Sequence, residues 1–103
     1  EAVAERVVTL GDVYLCILLG TFIQRTHDRV DLFLVVDDLN QKKFETFLRA
    51  VESELGTEIR YALMSSEEFL YRKDMFDKFV LSILEDSRPK LLVDKSRVIE
   101  DNI

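Results

Sequence analysis

The chain has 103 residues, of which 48% are hydrophobic and 33% charged, and its formal net charge at pH 7 is −6. This length suffices for one core without metal or disulfide staples, so we expect a single domain over residues 1–103 with its core in about 8–95. The excess of acidic residues argues against general nucleic-acid binding. No apolar run is long enough to span a membrane and no export signal opens the chain, so we expect a cytoplasmic protein.

The first part of the chain predicts one short helix and two buried strands. Apolar residues at spacings of three and four predict an amphipathic helix over residues 2–10 that ends at Gly11. Residues 13–20 and 31–37 are apolar runs rich in aliphatic and β-branched side chains, as expected of central strands covered on both faces. The lone cysteine, Cys16, lies in the first run, which predicts a reduced thiol in the core.

A helix and a third strand are predicted to follow. Asn40 can cap the start of the helix and Gly56 can end it. The apolar positions recur at helical spacing: Phe44, Phe47, Leu48, Val51 and Leu55. Residues 57–64 alternate, with Ile59, Tyr61 and Leu63 on one face, which is typical of a strand. Strand, helix and strand in succession favour a parallel pair with a right-handed crossover.

The remaining elements are two helical pieces and an edge strand. Ser65-Ser-Glu-Glu68 has the spacing of a capping box, which predicts a helix start. The second helix is expected to end near Glu85, with an apolar stripe of Phe76, Phe79, Val80, Ile83 and Leu84. Lys90 to Asp94 can form a short edge strand beyond a proline. The predicted fold class is α/β (α+β), a mixed four-stranded sheet with helices packed on it.

Several kinds of chemical site have no motif in this sequence. It contains no Gly-rich phosphate loop and no cysteine pair with zinc spacing, and its single histidine cannot build a metal cage. Most carboxylates fall on solvated helix faces. Asp31 differs, because it opens an apolar central strand directly after a polar loop, where active sites of mixed α/β sheets often gather.

Several segments together carry a family resemblance. In chain order they are Leu19-Gly20-Thr21-Phe22 at the end of a strand, Arg29-Val30-Asp31-Leu32 at the start of the next, Glu54-Leu55-Gly56 at a helix end, and Ser-Ser-Glu-Glu-Phe69 after the third strand. Over about residues 8–95 this order resembles the minimal nucleotidyltransferase superfamily, which has the DNA polymerase β-like fold. The stretch 65–79 is similar to prokaryotic nucleotidyltransferase-domain proteins of unknown role.

The resemblance implies a specific set of site positions. In active members a Gly-Ser pair binds the nucleotide phosphates, an Asp-x-Asp pair opening the second strand holds two Mg²⁺ ions, and an acid on the next strand completes the site. Here Gly20 and Thr21 stand at the Gly-Ser pair, and Arg29 and Asp31 stand at the acid pair. The register set by Glu-Leu-Gly brings Arg60 to the third acid.

These replacements predict a degenerate site. The guanidinium groups of Arg29 and Arg60 would repel Mg²⁺ and could pair with Asp31 as forks, in an Arg-Asp-Arg cluster, so we expect no metal and no other cofactor. The domain would then be a regulatory, ligand-sensing or protein-interaction module. Candidate contacts to a nucleotide or other phosphate-bearing ligand are Gly20, Thr21, Arg29 and Arg60.

Two alternatives stay open. An active nucleotidyltransferase would use Mg²⁺ to move a nucleotidyl group from a nucleoside triphosphate to a hydroxyl acceptor, with Asp31 joined by Asp28 or Glu58. Asp28 would need a distorted loop, because a shift of one residue along an extended segment turns the side chain to the opposite face. The other alternative is a structural domain whose edge strand, near Leu91, forms a homodimer or joins a partner protein.

Overall fold

The computed structural model describes residues 2–19, 30–85 and 90–94. It is a small α+β domain whose elements are α1 (Ala2–Val7), β1 (Asp12–Leu18), β2 (Leu32–Asp37), α2 (Gln41–Leu55), β3 (Tyr61–Met64), α3 (Ser66–Asp74), α4 (Lys78–Leu84) and β4 (Lys90–Asp94). The predicted mixture of a sheet with packed helices is confirmed. Within this described part, no helix has both the length and the apolar character that a membrane crossing requires.

The strands β1, β2 and β3 form a mixed sheet. β1 runs antiparallel to β2, and β2 runs parallel to β3 with α2 as the connection. The parallel pair predicted from the strand-helix-strand order is therefore confirmed. β4 pairs antiparallel with the other side of β1, which gives the order β3-β2-β1-β4. It coincides with the segment predicted to be an edge strand.

The sheet separates two apolar clusters, as expected for strands covered on both faces. Side chains of β2 alternate between them: Leu32, Leu34 and Val36 face α1 and α2, while Phe33 and Val35 face α3 and α4. Each fully buried side chain of this size contributes about 1.5–3 kcal/mol. The β1–β2 register shifts between Val13 and Leu15, where a bulge turns consecutive residues of β1 toward the α3–α4 face.

Helix α2 follows its predicted signals closely. The Asn40 side chain accepts the backbone N–H of Lys43 at 3.0 Å, and Gly56 ends the helix with a φ of 73°, in the left-handed region. Phe44, Phe47 and Val51 are buried. Leu55, the last apolar position of the predicted stripe, is 42% exposed. The buried face of the helix therefore ends one turn before its C-terminus.

Helix α1 is shorter than predicted, and Gly11 has a different role. The helix ends at Val7 rather than at Gly11. A Cβ at position 11 would lie 2.9 Å from the carbonyl oxygens of Asp37 and Asp38. The glycine is therefore required for the close approach of the chain entering β1 to the end of β2.

Two strand and helix predictions need correction near the C-terminal half. β3 covers Tyr61–Met64 rather than 57–64, and its second face is apolar because Ala62 and Met64 pack toward α3 and α4. Phe76 was expected in the apolar stripe of α4, but it lies in the turn before that helix. There its φ is 57° and its side chain is 75% exposed.

Candidate functional site

The backbone brings three strand ends together around Asp31. The carbonyl oxygen of Asp31 accepts the N–H of Leu19 at 2.8 Å, and the N–H of Asp31 donates to the carbonyl oxygen of Arg60 at 2.7 Å. The end of β1 and the starts of β2 and β3 therefore meet at this point. These bonds hold residues 31 and 60 side by side before any side-chain contact is considered.

The side chains of Asp31 and Arg60 form a bidentate ion pair. Arg60 donates from Nη2 to Oδ1 of Asp31 at 3.1 Å and from Nε to Oδ2 at 3.2 Å. The backbone N–H of Arg60 adds a third bond to Oδ2 at 2.9 Å. Both carboxylate oxygens are thus engaged by one arginine, in the fork geometry that favours guanidinium over ammonium.

The two members of this pair differ strongly in their exposure. The Asp31 side chain is 1% exposed, whereas the Arg60 side chain is 47% exposed. The carboxylate therefore sits under the guanidinium, and solvent reaches the cation rather than the anion. Of these two residues, the cation is therefore the one that faces solvent.

The sequence-predicted site residues have different outcomes. Arg60 lies on Asp31 in the expected fork. Gly20, Thr21, Asp28 and Arg29 lie outside the described residues, so their predicted contacts remain predictions.

Glu58, the other acid considered for an active enzyme, is exposed. It precedes Ile59, whose backbone N–H is bound by the Glu52 carboxylate at 2.8 Å.

A second polar contact, between Asp37 and Ser66, was not predicted from the sequence. The Ser66 hydroxyl donates to Oδ2 of Asp37 at 2.6 Å, and its backbone N–H donates to Oδ1 at 3.0 Å. Both bonds lower the pKa of Asp37 below its ordinary value of 3.8, and the bond from the hydroxyl has the larger effect. The available signal was topological: parallel β2 and β3 end at the same edge, where Asp37 and the start of α3 must meet.

The lone thiol belongs to the core. Cys16 has no measurable exposure and lies in the cluster that faces α1 and α2. Burial raises the pKa of the Cys16 thiol to about 12. The neutral thiol therefore packs as a small apolar side chain, as its place in an apolar run predicted.

Comparisons with known proteins leave the family resemblance as a prediction. No protein-family model, curated protein or solved structure matches this chain. In the described part of the chain, no three His, Cys, Asp or Glu side chains are grouped so that they could hold a metal ion.

Proposed function

We propose that this chain is a catalytically degenerate nucleotidyltransferase-like domain with a four-stranded sheet, which acts as a regulatory module that senses a nucleotide or another phosphate-bearing ligand. The observation that carries the proposal is the fork between Arg60 and buried Asp31. The chain's single cysteine, Cys16, is a free thiol, which supports the reducing cytoplasm as the compartment of this module.

The fork replaces the charge pattern that phosphoryl transfer needs. Two-metal transfer requires carboxylate oxygens that are available to hard dications. At the position where the resemblance implies the third acid, this chain carries a guanidinium that engages both oxygens of Asp31. A Mg²⁺ ion at this place would have to displace that cation and would be repelled by it. Loss of transfer activity follows from this exchange of charge.

The same arrangement suits recognition of an anion. A guanidinium binds phosphate oxygens without a metal, and 47% of the Arg60 side chain is open to solvent. Asp31 fixes the orientation of the guanidinium, so little side-chain entropy is lost when a ligand binds. Gly20, Thr21 and Arg29 are the predicted further contacts. Ligand binding would then change how this domain interacts with a partner protein or a second copy of the chain.

Calorimetric titration with ATP, with and without Mg²⁺, tests the sensing role. We expect saturable binding that does not require Mg²⁺ and that is lost in Arg60→Gln. The matched control is Arg72→Gln, because Arg72 is also a partly exposed arginine and is paired with Glu68 at 2.8 Å within α3. Absence of binding by ATP, ADP and inorganic phosphate at millimolar concentration would refute ligand sensing.

Incorporation of labelled ATP into protein or small hydroxyl acceptors tests the loss of catalysis. We expect no incorporation above background for the wild-type chain or for Asp31→Asn, in the presence of Mg²⁺ or Mn²⁺. Circular dichroism verifies that the variant is folded. Incorporation by the wild type that disappears in Asp31→Asn would establish the active enzyme and overturn the degenerate one.

A further inference from the structure

A pocket lies away from Asp31 and Arg60, where α1 and the residues after it face the first part of α2. Its volume is about 480 Å³, within the range of about 300–1,000 Å³ that is usual for small-molecule sites. Its lining comprises Arg6, Thr9, Leu10, Lys42, Lys43, Thr46, Phe47 and Ala50. Neither member of the fork contributes to it.

The charge of this pocket is opposite to that of the chain. Three of the lining residues are cations: Arg6, Lys42 and Lys43. No acidic residue of the described part of the chain lines the pocket, although the net charge of the whole chain is −6. Lys42 and Lys43 also occupy the first turn of α2, where the helix dipole already disfavours positive charge. Their placement opposes helix stability, and an anion in the pocket would remove that conflict.

Arg6 presents only part of its guanidinium group to the pocket. Arg6 donates from Nη2 to Oε1 of Glu54 at 2.9 Å. Its Nη1 is buried and, within the described part of the chain, has no hydrogen-bond partner. A ligand in the pocket cannot reach this buried nitrogen, so Arg6 contributes through the exposed 39% of its side chain, which the ion pair with Glu54 holds in place.

The rest of the lining defines the body of the ligand. Leu10, Phe47 and Ala50 offer an apolar wall. The Thr9 hydroxyl already donates to the Arg6 carbonyl oxygen at 2.7 Å, so it cannot also donate to an anion. Polar recognition therefore rests on the cations and on Thr46. A ligand that suits both parts combines one compact anionic group with an apolar or aromatic body.

We infer that this pocket is a binding site for a small organic anion, namely a phosphate monoester or a carboxylate with an apolar body. The cations of α1 and α2 hold the anionic group, and the wall around Phe47 holds the body. The site goes beyond the proposed function, because it shares no residue with the Asp31–Arg60 fork.

Titration of the ¹⁵N-labelled chain with 1-naphthyl phosphate, followed by amide chemical shifts, tests this inference. We expect saturable shifts at Leu10, Thr46 and Phe47. Uncharged 1-naphthol and inorganic phosphate alone should each bind at least about tenfold more weakly, because each lacks one half of the recognised chemistry. Equal binding of naphthol, or shifts spread over the surface without saturation, would overturn the inference.

Charge-matched variants distinguish this site from general attraction. Lys42→Gln/Lys43→Gln should weaken binding of 1-naphthyl phosphate by about tenfold or more, because charge-assisted contacts are lost. Lys73→Gln/Lys78→Gln removes the same charge outside the pocket and should change binding by less than about twofold. Equal weakening by both variants would refute a built site. Arg60→Gln should leave this binding unchanged, so its outcome is independent of the ATP titration.

Discussion

Substitution of Arg60 by glutamine removes the fork while it keeps the backbone bond to Asp31. Two charge-assisted hydrogen bonds, at 3.1 and 3.2 Å, are lost. The bond from the Arg60 backbone N–H, at 2.9 Å, is retained because it does not depend on the side chain. The substitution therefore isolates what the guanidinium contributes to a buried carboxylate.

The expected magnitude follows from distance and exposure. Two unit charges about 4 Å apart attract by about 4 kcal/mol at an effective dielectric constant near 20. Because 47% of the Arg60 side chain is exposed, solvent screening reduces the net contribution to about 1–2 kcal/mol. Asp31→Asn should cost about 2–3 kcal/mol, since its new amide N–H groups would face donors at a site with 1% exposure.

A double-mutant cycle measured by urea unfolding gives the coupling directly. The four proteins are the wild type, Arg60→Gln, Asp31→Asn and the double variant, followed by far-ultraviolet circular dichroism. We expect a coupling free energy of about 1–2 kcal/mol, as found for directly contacting charged pairs. For a chain of this length, each 1 kcal/mol corresponds to a Tm change of about 4–8 °C.

Additive effects would refute the argument. A coupling below about 0.3 kcal/mol is what separate, non-contacting sites show. That result would mean that the fork contributes nothing to stability, and the assignment of Arg60 as the cation that neutralises Asp31 would fail with it. Unchanged urea dependence of the unfolding free energy among the four proteins verifies that the variants share one folded state.

Three further predictions concern other parts of the molecule. The Ser66 hydroxyl and amide lower the pKa of Asp37, so the stability that this contact adds is present above pH 3.8 and is lost as the pH falls through the lower folded-state pKa. A carboxyl ¹³C titration should show a midpoint below 3.8 for Asp37, and that midpoint should rise in Ser66→Ala. Cys16, with a thiol pKa raised to about 12, should resist alkylation at pH 8 until urea unfolds the chain. Gly56→Ala should lower the free energy of unfolding by about 1 kcal/mol, because the φ at this position is positive. Gly11→Ala should lower it by about 1–3 kcal/mol, because the added methyl group would contact backbone oxygens. Urea unfolding midpoints measure both effects.

Much of the fold could be predicted from local patterns because those patterns and the tertiary packing agree. Asn40 and Gly56 bracket α2 in the sequence and cap it in the structure. Ser65 likewise accepts the Glu68 N–H at 3.1 Å at the start of α3. Phe76 could not be placed from its pattern, because it lies in a turn between two short helices, with a φ of 57°, and so leaves the helical period that its spacing suggests.

The candidate site could be predicted only where register was the deciding factor. The Asp31–Arg60 contact depends on which residue at the entrance of β3 lies beside the start of β2, and the family resemblance through Glu-Leu-Gly implied that register. The Asp37–Ser66 contact and the pocket beside Arg6 depend on the packing of elements that are distant in sequence. No local motif specifies such contacts, so both emerge only once the sheet order is known.

Stability alone does not explain why a buried carboxylate is kept at position 31. A buried ion pair loses solvation that its attraction only partly recovers, and an apolar pair of similar volume is often equally stable or more so. The neighbours of Asp31 on β2, Leu32 and Phe33, are fully buried and apolar, so an apolar side chain would suit this environment. The double variant Asp31→Leu/Arg60→Leu tests this. If it keeps the wild-type urea midpoint but loses Mg²⁺-independent ATP binding, the pair serves ligand recognition. If it fails to fold, the pair serves to hold the three strand ends together.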